Sequence, residues 1–337
     1  MKFSIIVPCY NLEPWIRQCL DSVIAQSYKD WECIVIDDES TDNNGLILDE
    51  YARRDLRFKI IHQKNAGEGG ARNAGLALAE GEWVFFLDGD DLMLPNALSR
   101  LAACISSDDH VIRFRYCEFE DGACPSTEKL ASTIREQKID VSKEINMRDF
   151  FTYVWQHIYR RSVICDIKFK RYKRGCDRVF LSEVLLERVS EVKVVDLLCY
   201  GYRKRAGSAM NTNPSLQVLR DEMDHRLDIM EMIDRSGKTM HYAGNQWLEK
   251  YFITQVYAVA DSRVRKLLFA DRQPRIARMR KLNGLSYPSR LILNMILILP
   301  FYWMDVTLCY LLPHLYSYTI RCFKNGRRVC IERSKSC

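Results

Sequence analysis

Glu82-Trp83-Val84-Phe85-Phe86-Leu87-Asp88-Gly89-Asp90-Asp91 decides the reading of this chain. Five apolar residues run into three carboxylates within four positions. Residues 83–87 predict a short strand buried on both faces, the pattern of a central strand in a parallel sheet. Acids at its C-terminal tip lie where open α/β sheets bind ligands, in the crevice outside the strand ends. Carboxylates this close repel one another, which points to a divalent cation: Mg²⁺ or Mn²⁺ takes oxygen ligands and bridges carboxylates to phosphate oxygens. The alternative is a plain acidic turn capping the helix that starts near Leu94-Pro95.

Strands and helices alternate on either side of this stretch. Residues 2–7 predict a first strand, closed by Pro8. Asn11 is placed as the cap of the following helix, with Pro14 in its first turn, where a missing N–H is harmless. Trp15, Ile16, Leu20, Val23 and Ile24 give that helix its apolar side. Residues 31–36 predict a second buried strand running into Asp37-Asp38, and residues 46–54 a helix. A third strand covers 58–62, and the glycine-rich loop 64–70 leads into a short Ala-rich helix over 71–79. This alternation predicts βαβ units, an α/β fold with a mostly parallel sheet flanked by helices. Two strand tips then carry acids, Asp37/Asp38 and Asp88/Asp90/Asp91, and right-handed crossovers bring such tips to one edge. A nucleoside diphosphate with a metal suits that edge; a helix-capping turn is the other reading of Asp37-Asp38.

The chain has 337 residues, 47% of them hydrophobic, enough for a large α/β domain with an appendage and too apolar for disorder. A net charge of +6 favours anionic partners weakly. Nucleic acid is disfavoured, because the basic residues follow an apolar stretch and lack an aromatic platform. The 13 cysteines form no C-x-x-C pair and no metal-finger spacing. No secretory leader is read at the start, so reduced thiols in a cytoplasmic setting are expected. The loop 67–70 lacks the spaced third glycine of a dinucleotide fingerprint, which excludes a nicotinamide reading.

Four stretches then speak together: Ile5-Ile6-Val7-Pro8-Cys9-Tyr10-Asn11, Ile36-Asp37-Asp38-Glu39-Ser40-Thr41-Asp42, the run from Asn65 to Gly75 containing Arg72-Asn73, and Phe86-Leu87-Asp88-Gly89-Asp90-Asp91. In order, spacing and content they resemble the successive signatures of family-2 glycosyltransferases with the GT-A (Rossmann-like) fold. The resemblance implies an inverting, metal-dependent transfer of a sugar from a nucleotide-diphosphate sugar, most simply a UDP-sugar, to an acceptor hydroxyl. It implies that Pro8, Tyr10 and Asn11 flank the base, that Asp38 hydrogen-bonds it with Asp37 beside it, and that Asn65 and Arg72 lie near the donor. Asp88 would meet the ribose or donor sugar, Asp90 the Mn²⁺ or Mg²⁺, and Asp91 would share that metal. Val154-Trp155-Gln156-His157-Ile158-Tyr159 resembles the acceptor-side segment, with Gln156 where relatives commonly carry Asn; His157 is read as a packed histidine. Gly175-Cys176-Asp177 matches the place of a Glu-Asp pair whose Asp is the general base, with Cys176 in place of the Glu. Asp177 is thus the expected base, a helix cap being the other reading. Arg203, Arg205 and Ser208 fall in a basic Gly-Ser loop resembling the family's lid over the diphosphate.

The expected organisation is a nucleotide-sugar half over 1–108, an acceptor half over 109–212 and a helical region over 213–337. Residues 111–119 and 192–202 predict strands, 120–143 a surface loop with a hairpin, and 147–153 a helix. Residues 291–312 are long enough to span a bilayer at about 20 residues, yet Pro300 splits them and both flanks are basic. Segment 288–318 is therefore expected to lie in or dip into the cytoplasmic leaflet, making the protein peripheral or monotopic on the inner face of the cell membrane; a buried helical hairpin or a homodimer contact is the alternative. Expected partners are the donor, a glycan or lipid-linked glycan acceptor of a bacterial surface polysaccharide, and that leaflet. The rival function is an inactive GT-A-like protein that binds sugar or scaffolds at the membrane.

Overall fold

A computed structural model describes residues 1–125, 135–141, 153–205, 215–237 and 272–282. The chain divides into two units, Met1–His241 and Tyr242–Cys337. In the second, the described part is a helix, Arg272–Arg280, with basic Arg278 and Arg280 in its last turn. Everything below concerns the first unit.

Its centre is a sheet of nine described strands. Strand β1 (Phe3–Cys9) is buried at all seven positions, as is β2 (Trp31–Asp37), and both are rich in β-branched and aromatic residues. β1 lies between β2 and β4 (Trp83–Phe86) and pairs with each in parallel, and β2 pairs in parallel with β3 (Phe58–His62). The strand order β3-β2-β1-β4 makes the β1/β4 boundary a switch point, where the chain crosses to opposite sides. Ligand crevices of open α/β sheets form at such a place, outside the C-terminal ends of the strands.

The parallel pairing holds through β4, and beyond it the sheet is mixed. β8 (His157–Arg160) runs antiparallel to β4 and to β6 (Val111–Glu120). β6 pairs in parallel with the long β9 (Glu191–Lys204), and β9 takes β5 (Leu92–Met93) and β7 (Glu136–Asp140) antiparallel. Residues 136–140, expected within a loop and hairpin, thus become an edge strand on β9 rather than half of a local hairpin. Their alternation is too short and polar to show this; the pairing partner lies more than fifty residues on.

Helices flank the sheet as their apolar periodicity requires. Helix α1 (Glu13–Ile24) buries Ile16, Cys19, Leu20 and Val23; α2 (Asn44–Arg54) buries Ile47, Leu48 and Tyr51. Helix α3 (Gly67–Leu78) packs on β1 and β2. A Cβ at Gly75 would stand 2.5 Å from Ile6 Cγ2, so glycine there sets how closely α3 seats on β1. Helix α4 (Ala97–Cys104) lies on β9. Asn11 does not cap α1. It takes a left-handed φ of 53° and its carboxamide oxygen accepts from Thr41 N–H at 2.7 Å, while Asp42 receives the Glu13 N–H at 3.0 Å. The cap comes from the next strand's loop, thirty residues away in sequence.

A buried carboxylate closes the opposite edge of the sheet. Glu32 accepts from Ser4 Oγ (2.6 Å), Lys59 Nζ (2.9 Å), Lys2 Nζ (3.0 Å) and the Glu80 N–H (2.8 Å), joining β1, β2, β3 and the turn before β4. Burial alone would raise its pKa, but these donors outweigh it and hold the carboxyl down at about 2.

Helix α5 (Cys176–Glu183), followed by a π-helical turn over Val184–Arg188, is fixed over the end of β4 by aromatic packing. Phe169 and Phe180 stack at 4.0 Å, and both meet the edge of Phe86 at 5.4 and 5.8 Å. Each such pair adds roughly 0.5–1.5 kcal/mol beyond its area. Helix α6 (Leu216–Ser236), expected with the C-terminal region, packs on α5 within the first unit. No helix among the described residues is long and apolar enough to cross a membrane. Segment 288–318, residues 147–152 of the helix predicted over 147–153, and Ser208 lie outside the described residues; Tyr153 itself is extended.

Candidate active site

Three strand tips meet helix α3 on the C-terminal edge of the sheet. Asp38, after β2, is buried; its Oδ1 accepts from Gln63 Nε2 (2.7 Å) and the Ala66 N–H (2.9 Å), and its Oδ2 from the Gly67 N–H (2.9 Å). The carboxylate therefore sits on the exposed amides at the N-terminus of α3, where the helix dipole favours it. Asn65 donates to the Asp38 carbonyl at 3.1 Å. Asp37 is buried next to it and accepts from the Ser40 N–H (3.2 Å) and pairs with His62 Nδ1 (2.9 Å). Burial pushes Asp37 up, but Ser40 and His62 prevail and keep it below the usual carboxylate range. Pro8 ends β1, and Tyr10 beyond it is 50% exposed. So the expected base-binding residues share one edge, with Tyr10 open to it and Asp38 already committed to the helix.

Arg72, one and a half turns into α3, carries the connection across the site. It is fully buried, and its guanidinium reaches Asp177 (Nη1 to Oδ1, 2.5 Å), Asp88 (Nη2 to Oδ1, 2.7 Å) and Glu68 (Nη2 to Oε1, 2.6 Å). Burial alone would lower its pKa; Asp177, Glu68 and Asp88 more than reverse that. Its Nε is buried without a hydrogen-bond partner among the described residues. A planar guanidinium presents its donors as a rigid fork and so holds carboxylates on separate elements at fixed angles, which the rotatable ammonium of a lysine does not. Arg72 thereby joins the acidic turn after β4 to helix α5, across 105 residues of sequence.

The acidic turn itself is held by β9. The Tyr200 hydroxyl accepts from the Asp88 N–H (3.2 Å) and donates to Asp91 Oδ2 (2.6 Å), and Asp91 Oδ1 accepts the Arg203 N–H (2.7 Å). Burial, then the charges of Asp90 and Asp88, push Asp91 up to about 8; burial likewise raises Asp88 to about 7 against the pull of Arg72. Asp91, expected to share a metal, is 2% exposed, and both its oxygens are engaged in anchoring the turn. Arg203, expected in the lid over the diphosphate, donates Nε to the Asp90 carbonyl (2.7 Å), Nη1 to Asp121 (3.0 Å) and Nη2 to Gln18 (2.7 Å), and so braces the turn. Arg205 remains at the mouth, pairing Nε with Asp90 Oδ2 at 2.6 Å and lying 4.3 Å above the Trp15 ring.

Asp177 stands in the first turn of α5 behind Gly175, whose φ of 89° places it in the left-handed region. A Cβ at Gly175 would fall 2.3 Å from His225 Nδ1 on α6, so both backbone and neighbour demand glycine. His225 is buried, and burial together with Arg226 and Arg178 lowers it to about 3, a neutral packing residue. Cys176 is buried and points its thiol at Asp177 Oδ1 (3.4 Å); burial and that carboxylate keep it protonated. His157 is buried, as expected.

Glu68, Tyr200, Asp121 and Gln18 escaped the sequence reading. Glu68 had a signal, its four-residue spacing to Arg72, which becomes an i,i+4 helix pair only because α3 begins at Gly67, ahead of the predicted start at 71. The others had none, because each acts through a partner more than eighty residues away. Among the described residues no group of three or more His, Cys, Asp or Glu side chains is arranged to hold a metal. What Asp90 offers is one hard carboxylate at the mouth, which suits Mg²⁺ or Mn²⁺ when phosphate oxygens complete the shell.

Residues 4–166 match the family described as Glycosyl transferase family 2. The chain is 30% identical over 214 residues to the uncharacterized glycosyltransferase EpsJ of Bacillus subtilis, covering 61% of this chain and 62% of EpsJ. It is 35% identical over 167 residues to the putative glycosyltransferase EpsH of the same organism, covering 48% of this chain and 47% of EpsH. The chain thus spans less than two thirds of these relatives. It is also 31% identical over 222 residues to the poly(ribitol-phosphate) beta-N-acetylglucosaminyltransferase TarS of Staphylococcus aureus, covering 63% of this chain and 37% of TarS. The crystal structure of TarS 1–349 in complex with UDP-GlcNAc superposes with a TM-score of 0.70 at 22% identity, covering 98% of this chain and 94% of that one. With four signature stretches on one sheet edge, the chain is similar over residues 4–166 to glycosyl transferase family 2, and it shares the α/β architecture of the TarS structure.

Proposed function

We propose that the protein transfers a glycosyl group from a UDP-sugar to a glycan hydroxyl with inversion at the anomeric carbon. The observation that supports this is Arg72, whose buried guanidinium joins Asp88, the residue read at the donor end, to Asp177, the residue read at the acceptor end. Asp177 takes the proton of the attacking hydroxyl, a contribution of roughly 10²–10⁴ in rate for a well-placed base. The oxygen attacks from the face opposite the diphosphate, through a transition state with oxocarbenium character. Charge gathers on the departing diphosphate, and Arg205 is the cation at the mouth placed to meet it. Asp90 would hold a Mn²⁺ or Mg²⁺ ion, which supplies further charge neutralisation when bound. The named substrate and activity of TarS support a UDP-sugar donor and a polymeric acceptor. Residues 1–108 then form the donor half and 109–212 the acceptor half. Segment 288–318 seats the enzyme on the cytoplasmic leaflet, where a lipid-linked glycan is within reach.

A screen of nucleotide sugars with added Mn²⁺ or Mg²⁺, reading released nucleotide, tests the activity, and NMR of the product anomer tests inversion. Release of UDP with an inverted product is expected; a retained configuration contradicts the single displacement. One observation favours an inactive relative, the replacement of the usual Glu by Cys176. Absence of release from every donor, with UDP still bound, would support it. For the membrane, a truncation ending near residue 287 should shift from the membrane to the soluble fraction; equal partitioning contradicts attachment.

A further inference from the structure

An aromatic cluster grows out of the acidic turn and is not used by the chemistry above. Tyr200 and Tyr202 lie on one face of β9, two residues apart, and Tyr116 on β6 is in register with Tyr200. Trp155 stacks between Tyr153 (4.6 Å, 16°) and Tyr200 (4.3 Å, 13°), with Tyr202 near-parallel at 5.7 Å. Tyr116 sets its edge against Trp155 at 5.0 Å and Tyr153 at 6.2 Å. Trp155 and Tyr200 are buried, whereas Tyr116, Tyr153 and Tyr202 are half-buried and form the outer members. Stacking covers the inner face of Tyr153, so its exposure lies on the outer face and edge.

We infer that Tyr116, Tyr153 and Tyr202 form a platform for a pyranose ring of the acceptor. This rests on the glycosyl-transfer reading and adds a site to it. Two placements favour that occupant. The cluster is continuous with the donor turn through the Tyr200 hydroxyl, which bonds the Asp88 N–H and Asp91. The turn Val154–Gln156 that carries Trp155 also packs on α5, the helix of Asp177. A ring seated there is beside both ends of the reaction. The C–H face of a pyranose carries slight positive charge and lies well on the negative face of an aromatic ring. Tyrosine adds a hydroxyl at the rim for the sugar's own hydroxyls and loses little entropy on binding. Arg113, Glu118 and Lys204 lie near Tyr116 and make the surroundings polar, which suits a hydroxylated ring better than an apolar peptide.

Saturation-transfer NMR on the full chain tests this, with methyl β-D-glucopyranoside and methyl N-acetyl-β-D-glucosaminide as probes and acyclic sorbitol as control. The wild type should transfer saturation to the pyranose C–H protons well above sorbitol. Tyr153→Ala and Tyr116→Ala should lower that by about fivefold, the scale of one lost ring contact, while Tyr153→Phe retains it. Calorimetric UDP affinity should be unchanged in all three. Equal transfer to pyranosides and sorbitol, or undiminished transfer in the alanine variants, overturns the platform; the first comparison needs the wild type alone and stands even if a variant does not fold. Pyranoside transfer in a protein that binds no UDP would support the platform and contradict the donor reading.

Discussion

Arg72 is the residue on which the two halves of the site depend. It is buried, but the three acids around it are partly exposed, Asp177 at 19%, Asp88 at 22% and Glu68 at 52%, so removing its charge leaves carboxylates that repel one another while water reaches them. Arg72→Met should lower stability in urea unfolding by less than the roughly 3–5 kcal/mol of a fully buried broken pair. Arg72→Lys keeps the charge but not the planar fork, and should recover part of that stability without restoring transfer. If Arg72→Lys transfers sugar at the wild-type rate, the bridging geometry is not what matters. Gly175 makes a second, sharper case. Gly175→Ala forces a side chain into a left-handed backbone and into His225, and should lower stability by about 1–3 kcal/mol. Thermal melts and UDP titration together separate the outcomes: a loss of transfer with UDP affinity kept shows that Asp177 has moved.

At the scale of elements, the parallel half of the sheet is stapled at one edge by Glu32 and opened for binding at the other. The staple has a pH signature. Glu32 holds its proton at about 2 in the fold against an ordinary 4.5, so the unfolded chain binds that proton more tightly. Its contribution is therefore complete above pH 4.5 and is lost as pH falls toward 2, about 3 kcal/mol over that window. Denaturant midpoints measured across it should drop in the wild type and stay flatter in Glu32→Gln; parallel curves would show that other carboxylates govern acid unfolding. The elements themselves were largely legible. Buried runs such as Phe3–Cys9 and Trp31–Asp37 announce parallel strands, and their acidic ends announce the binding edge. The antiparallel addition of Glu136–Asp140 was not legible, because four polar residues and a single isoleucine carry no pattern until β9 is beside them.

For the whole molecule, the meeting of acidic strand tips on one edge was legible in the sequence, but not the contacts that join them. Asp88 and Asp90 were singled out from a strand end, and Asp177 from the family resemblance. That Asp91 anchors through Tyr200, and that Arg203 braces the turn, depends on contacts between residues 82 to 185 apart, which no local periodicity encodes. The same holds for the aromatic cluster, assembled from two strands and a turn. What unites these parts is the claim that donor and acceptor chemistry meet at the Asp88–Arg72–Asp177 cluster. The direct measurement is UDP release from a panel of UDP-sugars by the wild type and by Asp177→Asn, with UDP affinity taken on both by calorimetry. Turnover should fall by about 10²–10⁴ in the variant while UDP binding stays within a few-fold. A variant that binds UDP and turns over as fast as the wild type would contradict it.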